Sequence, residues 1–94
     1  MLNQMVLVGR AKEIKEGEKT TIVLSIPRSY KNEDGIYEND DLEITILKGI
    51  QQNVKEYLQE GMLIGVKGRI QNNNGVVELI AEKITFLSSK KENE

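Results

Sequence analysis

Between Asp41 and Gln71 the sequence reads DLEITILKGIQQNVKEYLQEGMLIGVKGRIQ, and its hydrophobic period changes twice. From Asp41 to Leu47 the residues alternate. Leu42, Ile44 and Ile46 turn one way, and Asp41, Glu43, Thr45 and Leu47 the other, as a strand with one buried face requires. Ile50, Val54, Tyr57 and Leu58 then recur at i, i+4, i+7 and i+8, the stripe of a short amphipathic helix. That stripe places Tyr57 in the core. Gly61 follows, where a left-handed residue can close a helix. From Met62 to Gln71 the alternation returns, with Met62, Ile64, Val66 and Ile70 on one face and Gly65, Lys67 and Arg69 on the other.

Working outward, Asn72–Gly75 (NNNG) is a tight hairpin and Val76–Leu87 a last strand, with Phe86 packed inside. On the N-terminal side, Asn3 to Arg10 reads as a first strand. Its two faces, Met5 and Leu7 against Val6 and Val8, are both apolar, which predicts burial on both sides. Lys12–Lys19 is a polar loop around Gly17. Thr20–Ile26 is a second strand with Ile22, Leu24 and Ile26 on one face. Pro27 has no N–H to give and marks an end, an edge or a bulge. Tyr30–Asn39 is a loop around Asp34-Gly35. The order β-β-β-α-β-β over residues 1–88, with a short charged tail at 89–94, fits an all-β OB-fold. That fold is a five-stranded Greek-key barrel with one short helix between strands three and four. An SH3-like barrel and a small α+β sandwich are the alternatives.

Composition narrows the function. Ninety-four residues make one domain. With neither cysteine nor histidine, the chain has no disulfide, no thiolate metal site and neither of the usual nucleophile and base residues. Asp40 and Asp41 are adjacent, so on a strand they face opposite sides and share no proton or metal. We therefore expect no enzyme, no metal and no cofactor. No apolar run reaches the roughly 20 residues of a membrane span, and the opening MLNQMVLVGR is not built as a signal peptide. A cytoplasmic protein without membrane contact is the expectation. The net charge of −2 and pI of about 5.3 do not announce a nucleic-acid binder. Glu33, Asp34, Glu38, Asp40, Asp41 and Glu43 crowd one stretch, while Lys67 and Arg69 lie elsewhere. A local basic surface survives an acidic total, because screening confines each charge to about a Debye length.

Five motifs, in order, resemble the bacterial single-stranded DNA-binding proteins: Asn3 before the Val6-Leu7-Val8-Gly9-Arg10 run; Ile26-Pro27-Arg28-Ser29-Tyr30; Gln52-Asn53-Val54-Lys55-Glu56-Tyr57-Leu58; Gly61 through Gln71; and Ala81-Glu82-Lys83-Ile84-Thr85-Phe86-Leu87. Primosomal replication protein N is a short relative of that family. The resemblance implies an OB-fold that binds single-stranded DNA without strong sequence preference, in replication, recombination and repair. It also implies first strands paired in a homodimer or homotetramer through Leu2, Asn3, Gln4, Met5, Val6, Leu7 and Val8, and replication or repair proteins as partners. Aromatic side chains stack on bases in such sites and Lys/Arg groups track phosphates. The matching positions make Tyr30 the first stacking candidate and Tyr37 the second. Leu47 is an apolar base contact, and Arg28, Lys31, Lys48, Lys67 and Arg69 are candidate phosphate contacts. The sequence departs from the family at Asp41 and Leu47, where aromatics are typical, and in two shortened segments, the Lys12–Lys19 loop and the Asn72–Gly75 hairpin between the fourth and fifth strands. Those departures favour the rival reading, a protein-interaction or primosome-type assembly module with weak or lost DNA binding.

Overall fold

The computed structural model describes residues 2–88; the expected tail at 89–94 lies outside the described residues. Five strands, β1 (Met5–Lys15), β2 (Thr21–Lys31), β3 (Tyr37–Ile46), β4 (Leu63–Asn73) and β5 (Val76–Ser88), close a barrel in the order β1-β2-β3-β5-β4. A 3₁₀ turn, Lys48–Ile50, leads into the helix α1 (Gln51–Tyr57) between β3 and β4. This is the OB-fold expected from the sequence. Neighbouring strands run antiparallel apart from β3 and β5, which pair in parallel over three residues, Ile44–Ile46 against Leu79–Ala81.

The alternation within the strands fills the barrel. Ile22, Leu24, Ile44, Ile46, Ile64 and Val66 are fully buried, all of them residues that the period-2 pattern turns inward. Helix α1 is too short to stand on propensity alone and has no side-chain cap at its N-terminus. It is held by Val54, which with Leu58 closes one end of the core. Two glycines let strands approach closely. A Cβ on Gly68 would meet the Ile80 carbonyl oxygen at 1.8 Å, and one on Gly9 would meet the Ser25 carbonyl oxygen at 2.4 Å.

Several boundaries differ from the sequence reading. β1 runs on through Lys12–Lys15 because a bulge between Ala11 and Glu13 absorbs the break in alternation and keeps pairing with β2. Pro27 is a bulge site: β2 continues to Lys31 after a register shift. Tyr37–Asn39, expected as loop, belong to β3, because the β2–β3 hairpin stays paired beyond the barrel wall. Ile70 is exposed for a similar reason, on a β4–β5 hairpin that projects past the core. That hairpin turns at Asn74 (φ +55) and Gly75 (φ +86), the two positive φ values of the expected tight turn.

Tyr57 and Phe86 are not core residues. They are 60% and 41% exposed and meet edge to face, with ring centroids 6.5 Å apart. Val54 and Leu58 already fill the barrel end, so the pair sits on its rim. The first strand also differs from expectation. Met5 is buried and Leu7 half-buried, but Val6 (69%) and Val8 (48%) are exposed. β1 is no edge strand as a whole, for it lies between β4 and β2. Only its first half has an open side: Met5–Arg10 pair with β4, whereas pairing with β2 starts at Arg10. Asn3 extends the β4 side with its amide, since the Ile70 N–H donates to Asn3 Oδ1 (3.0 Å) and Asn3 Nδ2 donates to the Ile70 carbonyl.

Candidate nucleic-acid interface

The acidic stretch of β3 is neutralised strand by strand. On the outer face of β1–β2–β3, Lys12 Nζ donates to Asp41 at 2.7 Å and Lys15 Nζ to Glu43 at 3.1 Å. Both lysines reach diagonally across β2 to the β3 carboxylates, Lys12 from the bulge and Lys15 from the rung of Thr21 and Thr45. The hydrogen bond from Lys12 is the main reason Asp41 titrates below the ordinary aspartate range. The phosphate repulsion expected from Asp41 and Glu43 is thus cancelled by two cations that the sequence reading left in a loop.

The β2–β3 hairpin carries Arg28, Tyr30, Lys31 and Tyr37, and the structure separates their roles. Arg28 grips Asp40 through Nε and Nη2, the latter at 2.9 Å, and reaches Glu38 at 3.3 Å. This candidate phosphate contact is engaged by two carboxylates. Its hydrogen bond holds the Asp40 pKa below the ordinary range. Lys31 and Tyr37 stand opposite each other, and the ammonium lies 5.6 Å from the ring centroid, a cation–π contact. Tyr30 is 63% exposed.

A groove of about 320 Å³ runs between the β1–β2 loop, the β3–α1 corner and the outer face of β4–β5. Its walls include Lys19, Thr45, Leu47, Lys48, Arg69 and Ile80, so three of the expected contacts, Leu47, Lys48 and Arg69, converge there. Glu78 ties it together, accepting from Lys19 Nζ, Thr45 Oγ1 and Gln71 Nε2, each at 3.1 Å. Those donors, Lys19 first, keep its pKa below the ordinary glutamate range. Arg69, another candidate contact, is held by Glu82 at 2.7 Å and by Gln71. Lys48 and Lys67 are exposed and make no ion pair among the described residues. A larger groove of about 820 Å³, between α1 and β5, is lined mostly by apolar groups such as Ile50, Val54, Met62, Ile84 and the Tyr57–Phe86 pair. The smaller groove has the cations and the position between the first loop and the fourth hairpin where OB-folds take oligonucleotides.

The sequence reading missed Lys12, Lys15 and Lys19, whose partners lie on other strands, and Lys83, considered below. Among the described residues no group of His, Cys, Asp and Glu is arranged to hold a metal, and no helix is long and apolar enough to cross a membrane.

A scan against models of protein families finds no match. Comparison with curated proteins does. Over 109 residues, 99% of this chain and 78% of the relative, the chain is 36% identical to single-stranded DNA-binding protein 2 of Staphylococcus aureus strain COL. This chain belongs to the single-stranded DNA-binding protein family. Solved structures agree. The mitochondrial single-stranded DNA-binding protein of S. cerevisiae superposes with a TM-score of 0.73 at 25% identity, over 95% of this chain and 97% of that one. The N-terminal domain of the PriB protein from Thermoanaerobacter tencongensis, whose structure is described as dimeric, shares the fold at a TM-score of 0.66 and 20% identity, over 93% and 98%. The outer side of β3 offers Asp41, which is salt-bridged, and Leu47, exposed and apolar, follows just past its end.

Proposed function

We propose that this chain binds single-stranded DNA without strong sequence preference, as a non-enzymatic coat in cytoplasmic replication, recombination and repair. Family membership supports the ligand. The observation that carries the reading is the neutralised β1–β2–β3 face, which leads into a groove with an apolar wall at Leu47 and an unpaired cation at Lys48. Bases stack on Tyr30 and Tyr37 and lie against Leu47. Phosphates meet Lys31 and Lys48. Arg28 and Arg69 contribute by exchanging a carboxylate for a phosphate. With few aromatics, affinity leans on charge and falls steeply with salt.

The test is a titration of fluorescent oligo-dT at about 50 mM and at higher salt. Binding that weakens linearly in log–log form is expected. No binding at tens of micromolar protein would hand the chain to the rival reading, an assembly module that recruits replication or repair proteins.

Assembly follows from the half-open first strand. Backbone along Met5–Val8 has no strand on its second side, and Leu2, Val6 and Val8 are exposed. Such an edge pairs with a copy of itself across a two-fold axis. Leu2–Val8 would form a homodimer, Met5 and Leu7 contributing mainly backbone. Light scattering should give two chains, and Val6→Lys should shift the mass toward one. A second pairing of such dimers would give four chains.

A further inference from the structure

That outer face carries a charge arrangement with no use inside the chain. From the hairpin turn the β4–β5 register runs Asn73↔Val76, then Asn72↔Val77, down to Gly68↔Ala81. One more regular step would set Lys67 opposite Glu82, a compensated pair. Instead the register shifts between Lys67 and Gly68, Glu82 becomes the extra residue, and Lys67 faces Lys83. Glu82 is taken by Arg69. Both lysines are exposed, and neither forms an ion pair among the described residues. Directly opposed side chains on antiparallel strands share a face at about 5 Å between Cβ atoms, and like charges there destabilise the pair. Two ammonium groups held together against their own repulsion form a site for an anion from outside.

The neighbours say which anion. Arg69 lies two residues from Lys67 on the same face of β4, roughly 7 Å along the strand, and it also walls the groove beside Lys48. The basic path is therefore continuous from the groove to the lysine pair. Beyond the pair the surface turns apolar. Val6 is the β1 partner of Lys67, and the next rung is Val8–Gly65–Thr85. Leu87 leans over Gly65, where an added Cβ would sit 3.7 Å from its Cδ1. Cations bordered by a small apolar shelf suit a phosphate with its base, and they suit an acidic peptide less, since its carboxylates need no such shelf.

We propose that single-stranded DNA leaving the groove crosses β5 and β4, with a phosphate held jointly by Lys67 and Lys83 and a base against Leu87. This rests on the DNA-binding reading and extends the strand's path beyond one groove.

The experiment compares the full chain with Lys67→Gln/Lys83→Gln and the single Lys83→Gln. Two dT oligomers serve as probes, one of about 8 nucleotides, which one fold can accommodate, and one of about 30, which exceeds a single site. The double variant should bind the long oligomer roughly tenfold or more weakly at low salt, with a log–log salt slope shallower by about 0.7, the value for one phosphate on a single strand. Binding of the short oligomer and the melting temperature should be preserved, the latter raised if anything because repulsion is relieved. Lys83→Gln should lose about half the slope change. Unchanged long-oligomer binding overturns the path while leaving DNA binding in place. So does a loss shared equally by both oligomers with a fall in melting temperature, which makes the lysines structural. Loss of poly-glutamate binding without loss of DNA binding overturns it in favour of an acidic protein partner. If the unaltered chain binds neither oligomer, the reading beneath it has failed as well.

Discussion

The outer face of β1–β2–β3 and the outer face of β4–β5 are built from the same residue types and carry opposite electrostatics. On the first, Asp41 and Glu43 meet Lys12 and Lys15 across β2, and charge is cancelled in place. On the second, Lys67 and Lys83 meet each other while the nearby carboxylate serves Arg69. The second arrangement comes from a β-bulge that sets like charges opposite each other, whereas on the first face the lysines reach their carboxylates diagonally. A net charge of −2 therefore says little about what any one surface attracts.

The comparison breaks most easily at its tightest point. Gly68 lies at the register shift that sets Lys67 against Lys83, with the Ile80 backbone pressed on it. Gly68→Ala should cost about 3 kcal/mol or more, at or beyond the upper end for overpacking, read by urea denaturation. A near-neutral result would mean that β4 and β5 can separate there at little cost.

A smaller effect, confined to binding, is expected on the hairpin of the first face. Tyr30→Ala should weaken oligo-dT binding by about 1–3 kcal/mol, the range for one stacked base, with the melting temperature unchanged. Loss of stability with unchanged binding would make Tyr30 a packing residue. Tyr57→Ala gives the opposite pattern. It removes an edge-to-face contact with Phe86, and unfolding measurements should show about 0.5–1.5 kcal/mol lost with DNA binding intact.

The smallest effect is the pH response of the paired carboxylates. Asp40, Asp41 and Glu78 titrate below their ordinary ranges, held chiefly by hydrogen bonds from Arg28, Lys12 and Lys19. A carboxylate with a lowered folded pKa stabilises the fold above its unfolded value and loses that contribution as pH falls through the folded one. Denaturation midpoints should therefore be level near neutrality and decline below roughly pH 4. Asp41→Asn should flatten part of the decline. Exposed pairs contribute little each, so a collapse well above that pH would point to a group outside these pairs.

The fold was legible because burial obeys periodicity. Ile22, Leu24, Ile44, Ile46, Ile64 and Val66 alternate in sequence and are buried in space, and Asn74-Gly75 supplies the turn its residue types demand. The family was legible from motifs that double as structure, such as Asn3 clamping β4 and Gly68 admitting β5. The candidate site was legible only in part. Tyr30, Tyr37, Leu47 and Lys48 are exposed as expected, but Arg28 and Arg69 are occupied by carboxylates. Alternation tells which side of a strand a residue faces and nothing about which residue stands opposite. Opposition depends on register, and register depends on bulges at Lys12 and Glu82 that no local pattern marks. The sequence by itself thus determined the barrel, its core and its family. Tertiary structure alone decided which cations are cancelled and which are free, because an ion pair between strands depends on a distance that closure of the barrel creates.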